Sequence, residues 1–230
     1  MPSGLRARFP GALITLAVLG CAGAPPPPPP EPVDAEGISE SIRLGTRLDQ
    51  PVRILFDWNL NESGSRTSGR GVVRMEPPYK ARIDLFNGKG ETVLRAALVD
   101  DVLHLPPGVT SQNVVPQPAL LWAALGVFRP GAHGYLAGGE AIGDRQVQLR
   151  YGYGGSEEVR FRVSGGTMDL AELLRGGRVA ERVEVQASES HQFPQEAVYR
   201  NMGDFRELTL TLDAYEQVDV FPPDIWLPNP

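Results

Sequence analysis

From Val52 to Leu60 the chain is apolar at every second position: Val52, Ile54, Phe56, Trp58 and Leu60 alternate with Arg53, Asp57 and Asn59, and only Leu55 breaks the pattern. Successive side chains of a strand point to opposite faces, so five large apolar groups share one side of the chain. The same period recurs in Val147, Leu149 and Tyr151, in Val159, Phe161 and Val163, in Val183 and Val185, and in Leu208, Leu210, Leu212 and Ala214. Further strands are predicted at Arg70–Glu76, Lys80–Phe86, Thr92–Val99, Val102–Leu105, Glu196–Arg200 and Gln217–Phe221. That makes ten or eleven strands. Turn chemistry separates them: a polar, glycine-rich stretch from Glu62 to Gly69, a break at Pro77-Pro78, a hairpin loop at Asn87-Gly88-Lys89-Gly90 and a tight turn at Asp100-Asp101. Short connections between sequential strands imply an antiparallel meander. A sheet with one apolar face must curl around something that covers it.

Helical pattern is scarce. Pro118–Val127 has proline suited to a first turn, Gly126 near its end, and Leu121, Trp122 and Leu125 able to share a face. It is apolar nearly all round, which places it inside the molecule or over an apolar cavity. A second candidate is Met168–Arg175, capped by Thr167 and stopped by Gly176-Gly177, with a distorted hairpin as the competing reading. Glu36–Leu48, with Ile38, Ile42 and Leu48 at helical spacing, predicts one weak helix against the sheet.

The N-terminal segment obeys different rules. Arg6 and Arg8 precede an apolar run from Phe9 to Leu19 that is too short to span a bilayer, and Gly20-Cys21 follows. This is the layout of a secretory signal, and Val18-Leu19-Gly20-Cys21 resembles the lipobox of bacterial lipoproteins, cut just before a cysteine that is then acylated. Cys21 is the one cysteine of the chain. The competing reading is an ordinary signal with a chance cysteine near its cleavage site. Behind Cys21, Pro25 to Pro30 are expected to adopt a polyproline II rod of about 3 Å per residue, a stand-off spacer. The expected organisation is a signal peptide at 1–20, a lipidated cysteine with a proline-rich tether at 21–35, and a single domain at 36–230. Ala22, where some bacteria read an aspartate as an inner-membrane retention signal, points to the outer membrane.

Charge and motifs narrow the function. The 230 residues carry 22 basic and 28 acidic side chains; losing Arg6 and Arg8 leaves 20 against 28, a net charge near −8. An acidic chain without a basic stripe is a poor nucleic-acid ligand. His104, His133 and His191 lie far apart, no H-x-x-x-H or G-x-S-x-G motif occurs, and Gly152–Gly155 lacks a phosphate-loop lysine. No catalytic, metal or cofactor residues are therefore expected. Asp100-Asp101 and Glu157-Glu158 read as solvated turns.

The meander, Gly71-Val72-Val73-Arg74 leading to Ala81–Phe86, the stretch Leu94–Leu105, the apolar helix Leu120–Gly126 and the closing Phe221–Pro230 together resemble the LolA/LolB-like lipoprotein localisation factors. That resemblance implies a strongly curved antiparallel half-barrel with a few helices over its concave apolar face, and a pocket for acyl chains. The residues it places on that face are Val52, Ile54, Phe56, Trp58, Leu60, Ile83, Leu85, Leu94, Val147, Leu149, Phe161 and Leu210, with Leu121, Trp122 and Leu125 on the lid. It implies a lipid or lipoprotein acyl chain as ligand, a membrane contact through the N-terminal acyl chains, and a periplasmic carrier or envelope protein as partner. The outer-membrane receptor of the family carries a protruding apolar residue in the hairpin after its third strand. The matching loop here is Asn87–Gly90, and a lysine tip contacts headgroups without entering hydrocarbon. A scaffolding lipoprotein with a closed core is the alternative.

Overall fold

The computed structural model describes residues 33–107 and 115–227; the signal segment, Cys21 and the proline run lie outside the described residues. Twelve strands form one antiparallel sheet: β1 (Val52–Glu62), β2 (Ser65–Glu76), β3 (Lys80–Asn87), β4 (Thr92–Val99), β5 (Val102–His104), β6 (Tyr135–Gly143), β7 (Gln146–Gly152), β8 (Glu157–Ser164), β9 (Thr167–Arg175), β10 (Arg178–Ala187), β11 (Pro194–Asn201) and β12 (Arg206–Gln217). Their order is β5-β4-β3-β2-β1-β12-β11-β10-β9-β8-β7-β6. Two meanders thus meet where β1 pairs with β12 from Val52 to Glu62. The sheet is open, with β5 and β6 at its two ends, and it curls around the helices.

The helix α2 (Pro118–Ala124) is buried at every residue but its first. Ala119, Leu120 and Ala123 pack with the inner faces of β7–β11, while Leu121, Trp122 and Leu125 pack with those of β1–β4. The helix is therefore the shared core of both halves. The helix α1 (Ala35–Gly45) is capped by Asp34, whose carboxylate accepts from the Gly37 amide at 2.9 Å, and buries Ile42 against the β7–β11 half. Across the gap between β5 and β6, the segment after α2 is clamped to the β4–β5 turn. Arg129 donates to both carboxylate oxygens of Asp101 at 2.9 and 3.3 Å, the Ala132 amide donates to Asp101 at 2.7 Å, and the Arg129 guanidinium lies 3.8 Å from the Tyr79 ring centroid. Asp101 is thus a structural anion rather than part of a solvated turn.

Several local expectations need correction. Met168–Arg175 is strand β9, hydrogen-bonded on both sides by β8 and β10. Four successive residues, Ala171 to Leu174, are buried there, and this erases the alternation that marks a strand. Glu62–Gly69 is not a long turn: β1 and β2 run on to a tight corner at Ser63-Gly64, with Gly64 at φ +87°. The strand expected at Gln217–Phe221 is absent beyond Gln217, the last residue of β12. The last pairing bond is Val218 N–H to the Pro51 carbonyl, after which the chain turns onto the outer face of β3 and β4 as a 3-10 turn at Pro223–Trp226. Strand β6 has no counterpart among the expected elements.

A β-bulge on β12 changes the phase of its alternation. Leu212 pairs with Phe56 but Ala214 pairs with Leu55, so Asp213 is the extra residue. Ala214 is thereby turned out to solvent, and Tyr215 takes the inner side opposite Ile54, its ring 5.4 Å from that of Phe193. On the outer face, buried Asp84 accepts from Arg74 at 2.6 Å and Arg82 at 3.0 Å, and Arg82 also donates to the Ile225 carbonyl at 2.8 Å. This pins the C-terminal turn to the sheet.

Candidate functional site

The concave side of the β1–β4 half is not filled. Its floor is aromatic: the register sets Phe56 opposite Gly71 and Trp58 opposite Gly69. A Cβ on Gly71 would stand 2.2 Å from the Phe56 ring, so the ring occupies the space that a side chain there would need. The Trp58 indole N–H donates to the Arg70 and Phe86 carbonyls, both at 3.1 Å, which fixes the ring across β2 and β3. Val73, Ile83, Leu85, Leu94 and the small Ala96 make one wall, Leu60, Leu208 and Leu210 with Tyr199 the other, and Leu121, Ala124 and Leu125 of α2 the roof, with Val115 and Pro116 beside it. A seven-residue helix with alanine at 124 does not reach the floor, and about 170 Å³ of apolar space remains.

That volume sets the ligand scale. An engineered cavity of roughly 150 Å³ accepts benzene, so this one has room for about six or seven carbons of an extended chain. A longer chain passes through the mouth, where half-exposed Glu62 and exposed Val93 stand at the ends of β1 and β4. The polar lining is confined to a few groups. Arg206 Nε donates to Glu62 Oε1 at 3.0 Å, and Arg206 Nη2 bonds the same oxygen. The Tyr199 hydroxyl donates to buried Glu181 at 3.0 Å; burial, reinforced by that neighbouring carboxylate, pushes its pKa up.

Of the residues expected on the apolar face, Phe56, Trp58, Leu60, Ile83, Leu85, Leu94, Leu121, Leu125 and Leu210 line this cavity. Ile54 borders a neighbouring gap of about 30 Å³, and Val52 borders a separate hollow beside His191 and Tyr215. Trp122 is not part of the cavity lining: it is fully buried, donates to the Asp100 carbonyl at 3.0 Å and meets the Tyr79 ring edge-on at 6.0 Å. Val147, Leu149 and Phe161 belong to the other half, where Phe161 packs edge-on against Phe128 at 4.8 Å and Tyr151 at 5.8 Å. Val73, Val93, Ala96, Leu208, Tyr199, Glu62 and Arg206 line the cavity without having been expected there. The alternation in β2 and β12 signals Val73 and Leu208, whereas β4 has no alternation to mark Val93 or Ala96, and nothing in the sequence marks the charged pair.

The Asn87–Gly90 loop is a closed polar turn, with Asn87 Oδ1 accepting from the Lys89 and Glu91 amides at 2.9 and 3.0 Å. An exposed apolar tip stands instead on the β11–β12 hairpin, where Phe205 is 80% exposed with φ +50° and Met202 is also exposed. Among the described residues, no three His, Cys, Asp or Glu side chains converge as metal ligands would, and no helix is long and apolar enough to cross a membrane.

An open, curled antiparallel sheet with a short helix laid over an apolar cavity in its concave face is the LolA/LolB-like fold, and this chain has it. A LolA superfamily protein from Nitrosomonas europaea superimposes with a TM-score of 0.59 at 14% identity, covering 84% of this chain and 97% of that one. A DUF1329 family protein from Desulfovibrio piger superimposes with a TM-score of 0.52 at 6% identity, covering 84% and 96%. At such identities the likeness is one of fold. No protein-family model matches the sequence, and no curated protein matches it significantly.

Proposed function

We propose that the chain is a lipid-anchored envelope protein that holds an acyl chain of a lipid or lipoprotein in the cavity beneath α2 and takes part in its transfer. The observation that carries this is the unfilled apolar space between β1–β4, β12 and α2, beside a β7–β11 half that is packed shut. A scaffold whose outer face alone does the work has no use for such a void. Burying about six methylenes at roughly 0.8 kcal/mol each supplies about 5 kcal/mol, a dissociation constant on the order of 0.1 mM. Affinity of that size suits passing a chain on rather than storing it, and no covalent step is needed.

On this reading residues 1–20 are the signal peptide, 21–35 the tether and 36–230 the single working domain. Acylated Cys21 holds it at the outer membrane, facing the periplasm, within reach of a carrier or envelope partner. Native mass spectrometry of the purified protein tests the ligand: co-purified lipid is expected, and its absence together with no binding of a fluorescent fatty acid overturns the carrier. Cys21→Ser tests the anchor, with release from the membrane fraction or accumulation of uncleaved chain as the expected result.

A further inference from the structure

Arg206 is the only cation among the described residues that line the cavity, and it stands at the mouth. It pairs directly across the β1–β12 ladder with Glu62. The two partners are unequal. The Arg206 side chain is 13% exposed, whereas that of Glu62 is 45% exposed. A guanidinium cannot shed its charge and, enclosed to this degree, must keep an anion against it. The glutamate can swing into water at little cost, so the cation is fixed and its anion is exchangeable. Nearby groups do not compete for Arg206. The Tyr199 hydroxyl is taken up by Glu181, and Glu207 and Glu184 are held by Arg200 at 2.7 and 2.8 Å.

We infer that Arg206 is a headgroup clamp: the cavity takes a single-chain amphiphile whose terminal anionic group, carboxylate or phosphate, displaces Glu62 from Arg206 while the chain lies against Leu208, Leu210 and Phe56. This rests on the acyl-carrier reading and names its ligand class. A guanidinium fork binds planar carboxylate or phosphate oxygens through two parallel hydrogen bonds, and gives nothing comparable to a neutral headgroup. Exchange of one anion for another keeps Arg206 paired throughout, so the enclosed guanidinium is never left without a counter-charge.

The test is displacement of the neutral dye N-phenyl-1-naphthylamine from the purified full chain by decanoate, decyl phosphate and decanol, which share one tail. Decanoate or decyl phosphate, or both, should displace the dye roughly tenfold or more better than decanol, and the ratio between the two anions says which headgroup is preferred. Arg206→Gln should abolish the preference, so that the anions and decanol displace the dye equally well within that variant. Glu62→Gln, which removes the competing anion, should widen the ratio of anion to decanol displacement. Equal displacement by all three tails in the unaltered protein overturns the clamp but leaves the carrier standing. Failure of the dye and of every tail to bind overturns the carrier itself. The comparison in the unaltered protein and in Glu62→Gln stands even if Arg206→Gln does not fold.

Discussion

Adjacent residues of α2 should respond to truncation very differently. Trp122 is fully buried, meets Tyr79 edge-on and donates to the Asp100 carbonyl at 3.0 Å, whereas Leu121 faces the cavity. Trp122→Ala deletes a complete indole from a packed site, at about 3 to 5 kcal/mol, and leaves a carbonyl without its donor for about 1 kcal/mol more. For a chain of this size each kcal/mol lowers the melting temperature by about 2 to 4 °C, so a loss of at least about 8 °C is expected. Leu121→Ala removes atoms that already face open space and so make fewer dispersion contacts. Its cost should fall near the lower end of the Leu→Ala range, about 2 kcal/mol. It also enlarges the cavity by up to three carbons, so the longest acyl chain held should lengthen while Trp122→Phe leaves that length unchanged. Urea denaturation followed by circular dichroism gives both stabilities, and a chain-length series of fatty acids gives the cavity reach. If Trp122→Ala costs less than Leu121→Ala, the division of α2 between anchor and roof is wrong.

Burial raises the pKa values of the Tyr151, Tyr153 and Tyr199 phenols above that of an unfolded tyrosine. The folded state therefore holds these protons more tightly; the stability is complete below about pH 10 and falls as pH rises further toward the folded values. Denaturation midpoints measured from pH 8 to 12 should decline only above pH 10, and a decline that begins lower contradicts the assignment. Tyr153→Phe should flatten that decline and cost nothing at neutral pH, because the buried Tyr153 hydroxyl has no hydrogen-bond partner among the described residues. Phe205→Gly should stabilise by up to about 1 kcal/mol, because a bulky residue at φ +50° is strained and its 80% exposed ring packs on little. A lower melting temperature in that variant shows that the ring makes contacts this geometry does not contain.

What was legible in the sequence follows from how each element is covered. β1 lies at the centre of the sheet with one face wet, so Val52 to Leu60 announce themselves by strict alternation, and the same holds for β8 and β10. The α2 segment is legible because proline and glycine mark its ends. β9 is covered on both faces between Ala171 and Leu174, and a short doubly buried strand has the composition of a buried helix. β6 is an edge strand with glycine at 138 and 139 and two register shifts, so no alternation survives in it. The Asp213 bulge inverts one strand's phase through backbone geometry alone. Period-two reasoning also cannot say which half of the sheet a residue faces, and so it pooled Phe56 with Phe161, which lie in separate clusters.

That separation explains why the β1–β4 half is hollow. The β7–β11 half receives Ile42 of α1, the ring of Phe128 and the Ala119, Leu120, Ala123 side of α2, and its aromatic rings close on one another. The β1–β4 half receives Leu121, Trp122 and Leu125 from the same stretch of chain, with only the small Ala124 beside them, and Trp122 is turned aside to the Asp100 carbonyl. A further aliphatic side chain in place of Ala96 or Ala124 would fill much of what remains, since both border the cavity. The void thus depends on two alanines and one short helix placed against Phe56 and Trp58, and the Phe56 ring in turn requires Gly71 behind it. Three small residues, Ala96, Ala124 and Gly71, hold the space open, so a larger side chain at any one of them narrows the same cavity. Ala96→Leu should therefore abolish acyl binding while leaving the fold and the packed β7–β11 half intact.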